Sequence, residues 1–326
     1  MPNWYRGSGS IDQRQDNEYR MTKIRDEIIK LKIKYPLWVL LAFLVCYRVI
    51  SAFMKRHWNG LLYRIGLQGK LHPYLSGSCF LMVMLLTILI LMCLANQIDI
   101  FSRERKRLPG ALIPGLYMIV ISLLIIVIGL IGTEGFQSRG TIIFSSLYFI
   151  LVAVTEELVY RGVAADIFLK TFMFRSCPGL RGICGQEGRR AVWTATFCSG
   201  LLFGLVHISN MSSANISGVL VQMLGAFLMG MVLVAVYYRT ANIYAVIIMH
   251  AVNDIAAAMP VTILKSEQNV SDVISGYGIM ELVTLIPYVI VLLVIMRPSK
   301  IEVIWRLWTH ERSQGTEQNQ GLNRAE

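Results

Sequence analysis

The sequence predicts an all-α, polytopic membrane protein of about eight transmembrane helices in which spans four to seven form a four-helix core. Three observations carry that prediction. Of 326 residues, 55% are hydrophobic and only 16% charged, against about 25% charged in an ordinary soluble domain. The apolar residues fall in long continuous runs rather than periodic stripes, and a run of about 18 or more crosses a hydrocarbon layer as a helix. Finally, the cations are distributed asymmetrically between alternate connecting segments. A membrane β-barrel is excluded because its strands would alternate in short segments, whereas these runs are uninterrupted and rich in Leu, Ile, Val and Met.

Residues 1–35 come first. They open on a Gly/Ser-containing stretch and continue as a basic segment, Arg25 to Lys34, interleaved with Ile24, Ile28, Ile29, Leu31 and Ile33. This reads as a cytoplasmic arm lying on the membrane surface. It has no apolar core of a cleavable signal, so the first span is expected to direct insertion. Spans are expected at 36–54, 77–97 and 111–132 within a first block, residues 36–142. The core, residues 143–261, holds spans at 141–160 or beyond, 191–208, 217–238 and 243–261, and an eighth span follows at 277–296. The stretch Val163 to Phe174 is itself largely apolar. Span four is therefore expected to continue, tilted, to about Phe172, which sets its acidic residues deep enough to meet the far end of span five. The loop from Phe174 to Arg190, with Pro178 and four glycines, reads as a connector. In the tail, residues 297–326, the run Ile301, Val303, Ile304, Trp305, Leu307 and Trp308 suits an interfacial helix, and the last dozen residues are polar.

The formal net charge of +11 is accounted for by topology rather than by nucleic acid. With the N-terminus inside and eight spans, the inner segments hold 24 of the 31 Lys and Arg and the outer loops 6, with Arg48 inside span one. That asymmetry fits the positive-inside rule, places both termini in the cytoplasm and favours anionic headgroups. The six cysteines imply no disulfide framework: Cys46, Cys79, Cys93 and Cys198 fall in spans, and Cys177 and Cys184 are too far apart for a Cys-x-x-Cys metal site.

Ionisable groups at bilayer depth cost several kcal/mol unless they face protein or water, so each is a functional candidate. Span four carries Glu156-Glu157-Leu158-Val159-Tyr160-Arg161. Glu157 and Arg161, four apart, share a helix face where a charge pair forms, and Glu156 points about 100° away. Span five offers Phe203 and His207, and span seven His250 and Asp254, both at the same spacing. Carboxylates and imidazoles on neighbouring helices either bind a divalent cation such as Zn²⁺ or activate a water directly. Imidazole N–H groups of His207 or His250 would also serve an oxyanion.

Glu156-Glu157-x-x-x-Arg161, Phe203-x-x-x-His207 and His250-x-x-x-Asp254, in that order over residues 155–254, resemble the motif set of the CAAX protease and bacteriocin-processing (Abi) family. The phrases Glu-Glu-Leu-Val-Tyr-Arg-Gly and Ser-Gly-Leu-Leu-Phe-Gly-Leu-Val-His strengthen the match. The resemblance implies an eight-helix intramembrane endopeptidase of a plasma membrane. In it Glu156 is the water-activating base, Glu157 and Arg161 support it, and His207, His250 and Asp254 are metal ligands or oxyanion donors. Both a metal-dependent set (Glu156, His207, His250, Asp254) and a metal-free glutamate mechanism have been described for such proteins. The implied partner is a membrane-associated peptide or protein, lipidated in the eukaryotic members, which trim prenylated CAAX ends. Bacterial members are linked instead to bacteriocin maturation or immunity. Eukaryotic members often carry Asn at the last motif position, where this chain has Asp254, and the added charge favours a cation there.

Plainer readings stand beside these. Glu157 with Arg161 forms an intramembrane salt bridge whether or not it supports chemistry, and a membrane His alone is more often a helix-to-helix hydrogen bond. Phe203 reads as packing, Arg48 as a snorkelling or headgroup-paired cation, Glu281 as an acid with a structural partner, and Gly225, Ala226 and Gly230 as close-packing positions. No His-Glu-x-x-His, Gly-x-Gly-Asp or Walker A run is present, and Phe197 stands before Ser199-Gly200 where a rhomboid turn would need glycine. The competing class is a non-enzymatic membrane protein, a proton-coupled transporter or an immunity scaffold. No paired Gly/Pro-broken half-helices support it.

Overall fold

A computed structural model of the protein describes residues 34–95, 97–101, 106–133, 135–176 and 185–308. Residues 1–33 of the basic arm, Cys177 and Cys184, and the tail beyond residue 308 lie outside the described residues. Among the described residues the long elements are helices: α1 (Pro36–Arg64), α2 (Pro73–Leu94), α3 (Leu108–Ile131), α4 (Arg139–Met173), α5 (Gln186–Ser212), α6 (Ile216–Thr240) and α7 (Ile243–Thr262). A short α8 (Val270–Ser275) follows, then α9 (Ile279–Ile295) and α10 (Pro298–Trp308). The seven helices α1 to α7 are each long and apolar enough to cross a membrane. The eighth expected span is a broken one, because α9 turns by 65° into α10 at Pro298, whose ring disfavours helical geometry in the residue before it.

Local chemistry explains where the helices start. Pro36 and Pro73 occupy the first turns of α1 and α2, where a missing N–H costs nothing. Ser138, Asn215 and Asn242 cap α4, α6 and α7 by accepting backbone N–H groups that the first turn would otherwise leave unpaired. Ala241, left-handed at φ 49°, closes α6 directly onto the Asn242 cap of α7, so these two spans run back against each other.

The outer helices behave as lipid-facing and the inner ones as core. Trp38, Val45, Val49 and Phe53 of α1 are exposed, whereas Val232 to Tyr238 of α6 are buried all round, the signature of a helix enclosed by its neighbours. Tryptophan and isoleucine of α10 join that core. Ile301, Ile304, Trp305 and Trp308 are buried, and Trp308 stacks edge-on against Tyr237 and Tyr238 while its indole N–H donates to the Tyr238 carbonyl at 2.8 Å. The interfacial helix expected here is thus corrected: its apolar face covers α6 rather than lipid. Glu281 finds its structural partner in the Gly278 N–H, at 2.6 Å, as part of the α9 start.

Close packing of α5 on α6 rests on glycines. A side chain on Gly204 would meet the Met223 carbonyl oxygen at 2.8 Å, and one on Gly230 would come within 3.1 Å of the Phe203 ring and 3.3 Å of the Gly200 Cα. Gly225, by contrast, has ordinary room beside Leu285 at 3.5 Å. Small residues let helix backbones approach in a membrane, where packing replaces the hydrophobic drive. Gly204→Ala is therefore expected to lower stability by about 1–3 kcal/mol through forced separation of α5 and α6. Gly225→Ala leaves the thermal unfolding midpoint in detergent unchanged.

Candidate active site

The long α4 places the acidic pair. Glu156 is the midpoint of its 35 residues, about 26 Å of helix from either end at 1.5 Å per residue. The expected extension of span four beyond Tyr160 is present, so the pair sits at the middle of the helix rather than at its end. Directly after Glu157 the backbone widens into a π-helical stretch, Leu158–Ala165, a rare geometry that recurs at functional sites. A Cβ on Gly162 would come within 2.8 Å of the terminal methyl of Ile100, which would have to shift. The far end of the stretch is held from α6, where the Tyr238 hydroxyl donates to the Ala165 carbonyl at 2.7 Å.

Glu157 and Arg161 are both fully buried. Glu157 Oε1 lies 2.8 Å from Arg161 Nη1 and also accepts from His250 Nδ1 at 2.8 Å. Arg161 Nη2 donates to the Gly230 carbonyl at 3.3 Å, and its guanidinium sits 4.2 Å above the Phe203 ring. Gly230 thus admits the arginine as well as the helix. Glu157 Oε2 and Arg161 Nε have no hydrogen-bond partner among the described residues. The network is consequently costly: desolvated charges repay their burial only when every donor and acceptor is used. Phe203 packs against its neighbours, as expected. Its ring meets Tyr160, His207 and His250 edge-on with centroids at 5.3, 5.4 and 5.6 Å, fixing α4, α5 and α7 around one aromatic plate.

Glu156 has the opposite environment. Its side chain retains 28% exposure and Asp254 20%, and both open into a cavity of about 610 Å³ that His207 and His250 also line. His250 stands between the two acids, its Nε2 at 3.3 Å from Asp254 Oδ2 and 3.9 Å from Glu156 Oε2. Its Nδ1 faces Glu157 Oε1 at 2.8 Å, so both ring nitrogens of His250 point at carboxylate oxygens. His207 Nδ1 donates to the Phe203 carbonyl at 2.9 Å, so in the neutral ring Nε2 keeps its lone pair. All six residues singled out in the sequence are therefore brought together, but in two layers: Glu156, His207, His250 and Asp254 line the cavity, with Glu157 and Arg161 behind His250. Asn253, next in sequence, turns away to Tyr288 and Met229.

Among the described residues no three His, Cys, Asp or Glu side chains converge as a cation site. Both nitrogens of His250 face carboxylates and Nδ1 of His207 is tied to backbone, while Glu156, Asp254 and the Nε2 edge of His207 remain open to the cavity.

Sequence reasoning passed over the rest of the wall. Tyr148, Val152, Glu156 and Tyr160 all line the cavity and lie four apart, a single stripe of α4 that helical spacing from Glu156 would have revealed. Asn210 and Gln222, bonded to each other at 2.9 Å, and Tyr74 and Tyr277 contribute further polar groups. Burial raises the Tyr277 phenol above its ordinary range, with help from the Glu281 and Asp254 charges. Arg48 also lines the cavity, beside Tyr47. Arg48 is an exposed residue, and α1 forms one wall of the site.

Residues 137–256 match the family model of type II CAAX prenyl endopeptidase Rce1-like proteins. The matched region contains every motif residue from Glu156 to Asp254, in agreement with the resemblance read from the three motifs. No curated protein and no solved structure matches the chain.

Proposed function

We propose that the chain is an intramembrane endopeptidase in which Glu156 activates water for peptide-bond hydrolysis. One observation carries the reading: the carboxylate exposed at the middle of α4 shares a cavity of about 610 Å³ with two imidazoles and a second acid. The match to prenyl endopeptidases supports it.

In this reading Glu156 removes a proton from a water whose other hydrogen is held by the His207 Nε2 lone pair, and the resulting hydroxide attacks the scissile carbonyl. The oxyanion accepts from the Nε2–H of His250, whose charge is balanced by Glu157 and Asp254. Collapse of the tetrahedral intermediate breaks the C–N bond, and Glu156 returns its proton to the leaving amine. One water is consumed and the base is regenerated. Arg161 and Phe203 position the machinery through Glu157 and the imidazoles. Both termini face the cytoplasm in this scheme, consistent with the cation asymmetry. No step runs through a metal.

The test is the purified full chain in liposomes with a farnesylated CAAX-type peptide and its unlipidated counterpart, the products identified by mass spectrometry. New peptide ends support the peptidase. Absence of cleavage of both, together with a proton or solute flux that requires Glu156, makes it a transporter. A second expected result is that 1,10-phenanthroline leaves the cleavage rate within about twofold, because both ring nitrogens of His250 face carboxylates and the one free lone pair, on His207 Nε2, is engaged by the reacting water. Loss of activity restored by added Zn²⁺ overturns the metal-free scheme.

A further inference from the structure

Arg48 is the residue that neither the motifs nor the mechanism uses. It lies near the middle of the 29-residue α1, where a permanent charge is tolerated only against protein or water. The cavity is what it meets. Among the described residues lining that cavity Arg48 is the sole Lys or Arg, facing a space that also holds the acids Glu156 and Asp254. It forms no ion pair among the described residues. Arg161, the other intramembrane guanidinium near the site, is fully buried behind His250 and engaged by Glu157, so it is closed to a ligand.

A cavity with two acids repels an anionic ligand, and one cation changes which anion is admitted and where it sits. A guanidinium is a planar fork suited to a carboxylate, which it holds through two parallel hydrogen bonds. Tyr47 of α1, Tyr74 of α2 and Tyr148 and Tyr160 of α4 line the same cavity, and their phenols supply further hydroxyl donors and aromatic faces for apolar side chains.

Resting on the peptidase reading of this cavity, we propose that Arg48 is a specificity-determining residue that binds the C-terminal carboxylate of the peptide being cut. The scissile bond is thereby set at a fixed distance from the free end of the substrate, and an internal segment of a longer chain lacks the group that docks it. α1 lies outside the matched residues 137–256, so this recognition element is separate from the hydrolytic motifs on α4, α5 and α7.

The experiment uses the full chain in liposomes and one farnesylated peptide prepared twice, as the free acid and as the C-terminal amide. The wild type is expected to favour the acid in kcat/KM by about tenfold to a hundredfold, the range of a charge-assisted hydrogen-bonded contact. Arg48→Gln brings the acid-to-amide ratio close to one, and Arg48→Lys, which keeps the charge without the fork, gives an intermediate ratio. A merely structural role, such as a counter-charge for Glu156 and Asp254, would slow both peptides alike and leave the ratio unmoved. Equal cleavage of acid and amide by the wild type, or a ratio preserved in Arg48→Gln, overturns the assignment while the peptidase stands. Cleavage of neither peptide by the wild type overturns the peptidase and this inference together.

Discussion

Glu156→Gln is expected to reduce peptide cleavage by about 10²–10⁴-fold, the usual contribution of a positioned general base, while the protein folds and unfolds as before. The amide keeps the shape and hydrogen-bonding reach of the acid but cannot take a proton from water. Stability should be unaffected because Glu156 anchors little: its nearest charged contact is His250 at 3.9 Å, and its side chain opens to the cavity. The measurement is product formation in liposomes beside a thermal unfolding curve in detergent. Full activity in a well-folded Glu156→Gln protein would remove Glu156 as the base. Loss of both activity and stability would instead give it a structural role.

Arg161→Met is expected to show the reverse balance, a loss of stability of about 3–5 kcal/mol, because it strands a buried carboxylate without its cation. Glu157 is fully buried and already has one oxygen with no hydrogen-bond partner among the described residues. Removing the guanidinium also frees the Gly230 carbonyl and the face of Phe203. The double variant Glu157→Gln, Arg161→Met should recover much of the lost stability, since neither charge then remains to be desolvated, yet stay inactive because His250 loses the carboxylate that orients it. Unfolding midpoints of the two single variants and the double variant form a thermodynamic cycle. Additive losses, with no recovery in the double variant, would mean that the pair is not coupled in the way its geometry implies.

The helical architecture was legible because lipid makes a simple demand: a spanning segment must be long, apolar and satisfied within its own backbone. The first seven spans follow directly from their apolar runs, and even the extension of α4 past Tyr160 could be inferred from the apolar stretch after Val163. The motif residues were legible for the same reason, as charges where charge is expensive. Less legible were elements whose partner is another helix. The run Ile301 to Trp308 has the composition of an interfacial helix, and only the presence of Tyr237 and Tyr238 opposite makes it core. Gly225 and Gly230 look equivalent in sequence. Gly230 meets Phe203 and Gly200, while Gly225 has room.

The sequence by itself determined that the chain is a bundle of membrane helices, which of its residues carry charge into the layer, and that Glu156 and Glu157 point about 100° apart. It took the packing of the helices to show that Glu156 opens on the cavity, that Glu157 is sealed against Arg161 and His250, and that Arg48 borders the same cavity. A helix fixes the angle between its own side chains, but the direction each takes in space depends on how the helix is rotated against its neighbours. That rotation is set by contacts such as the Gly204 and Gly230 approaches of α5 to α6, between residues far apart along the chain.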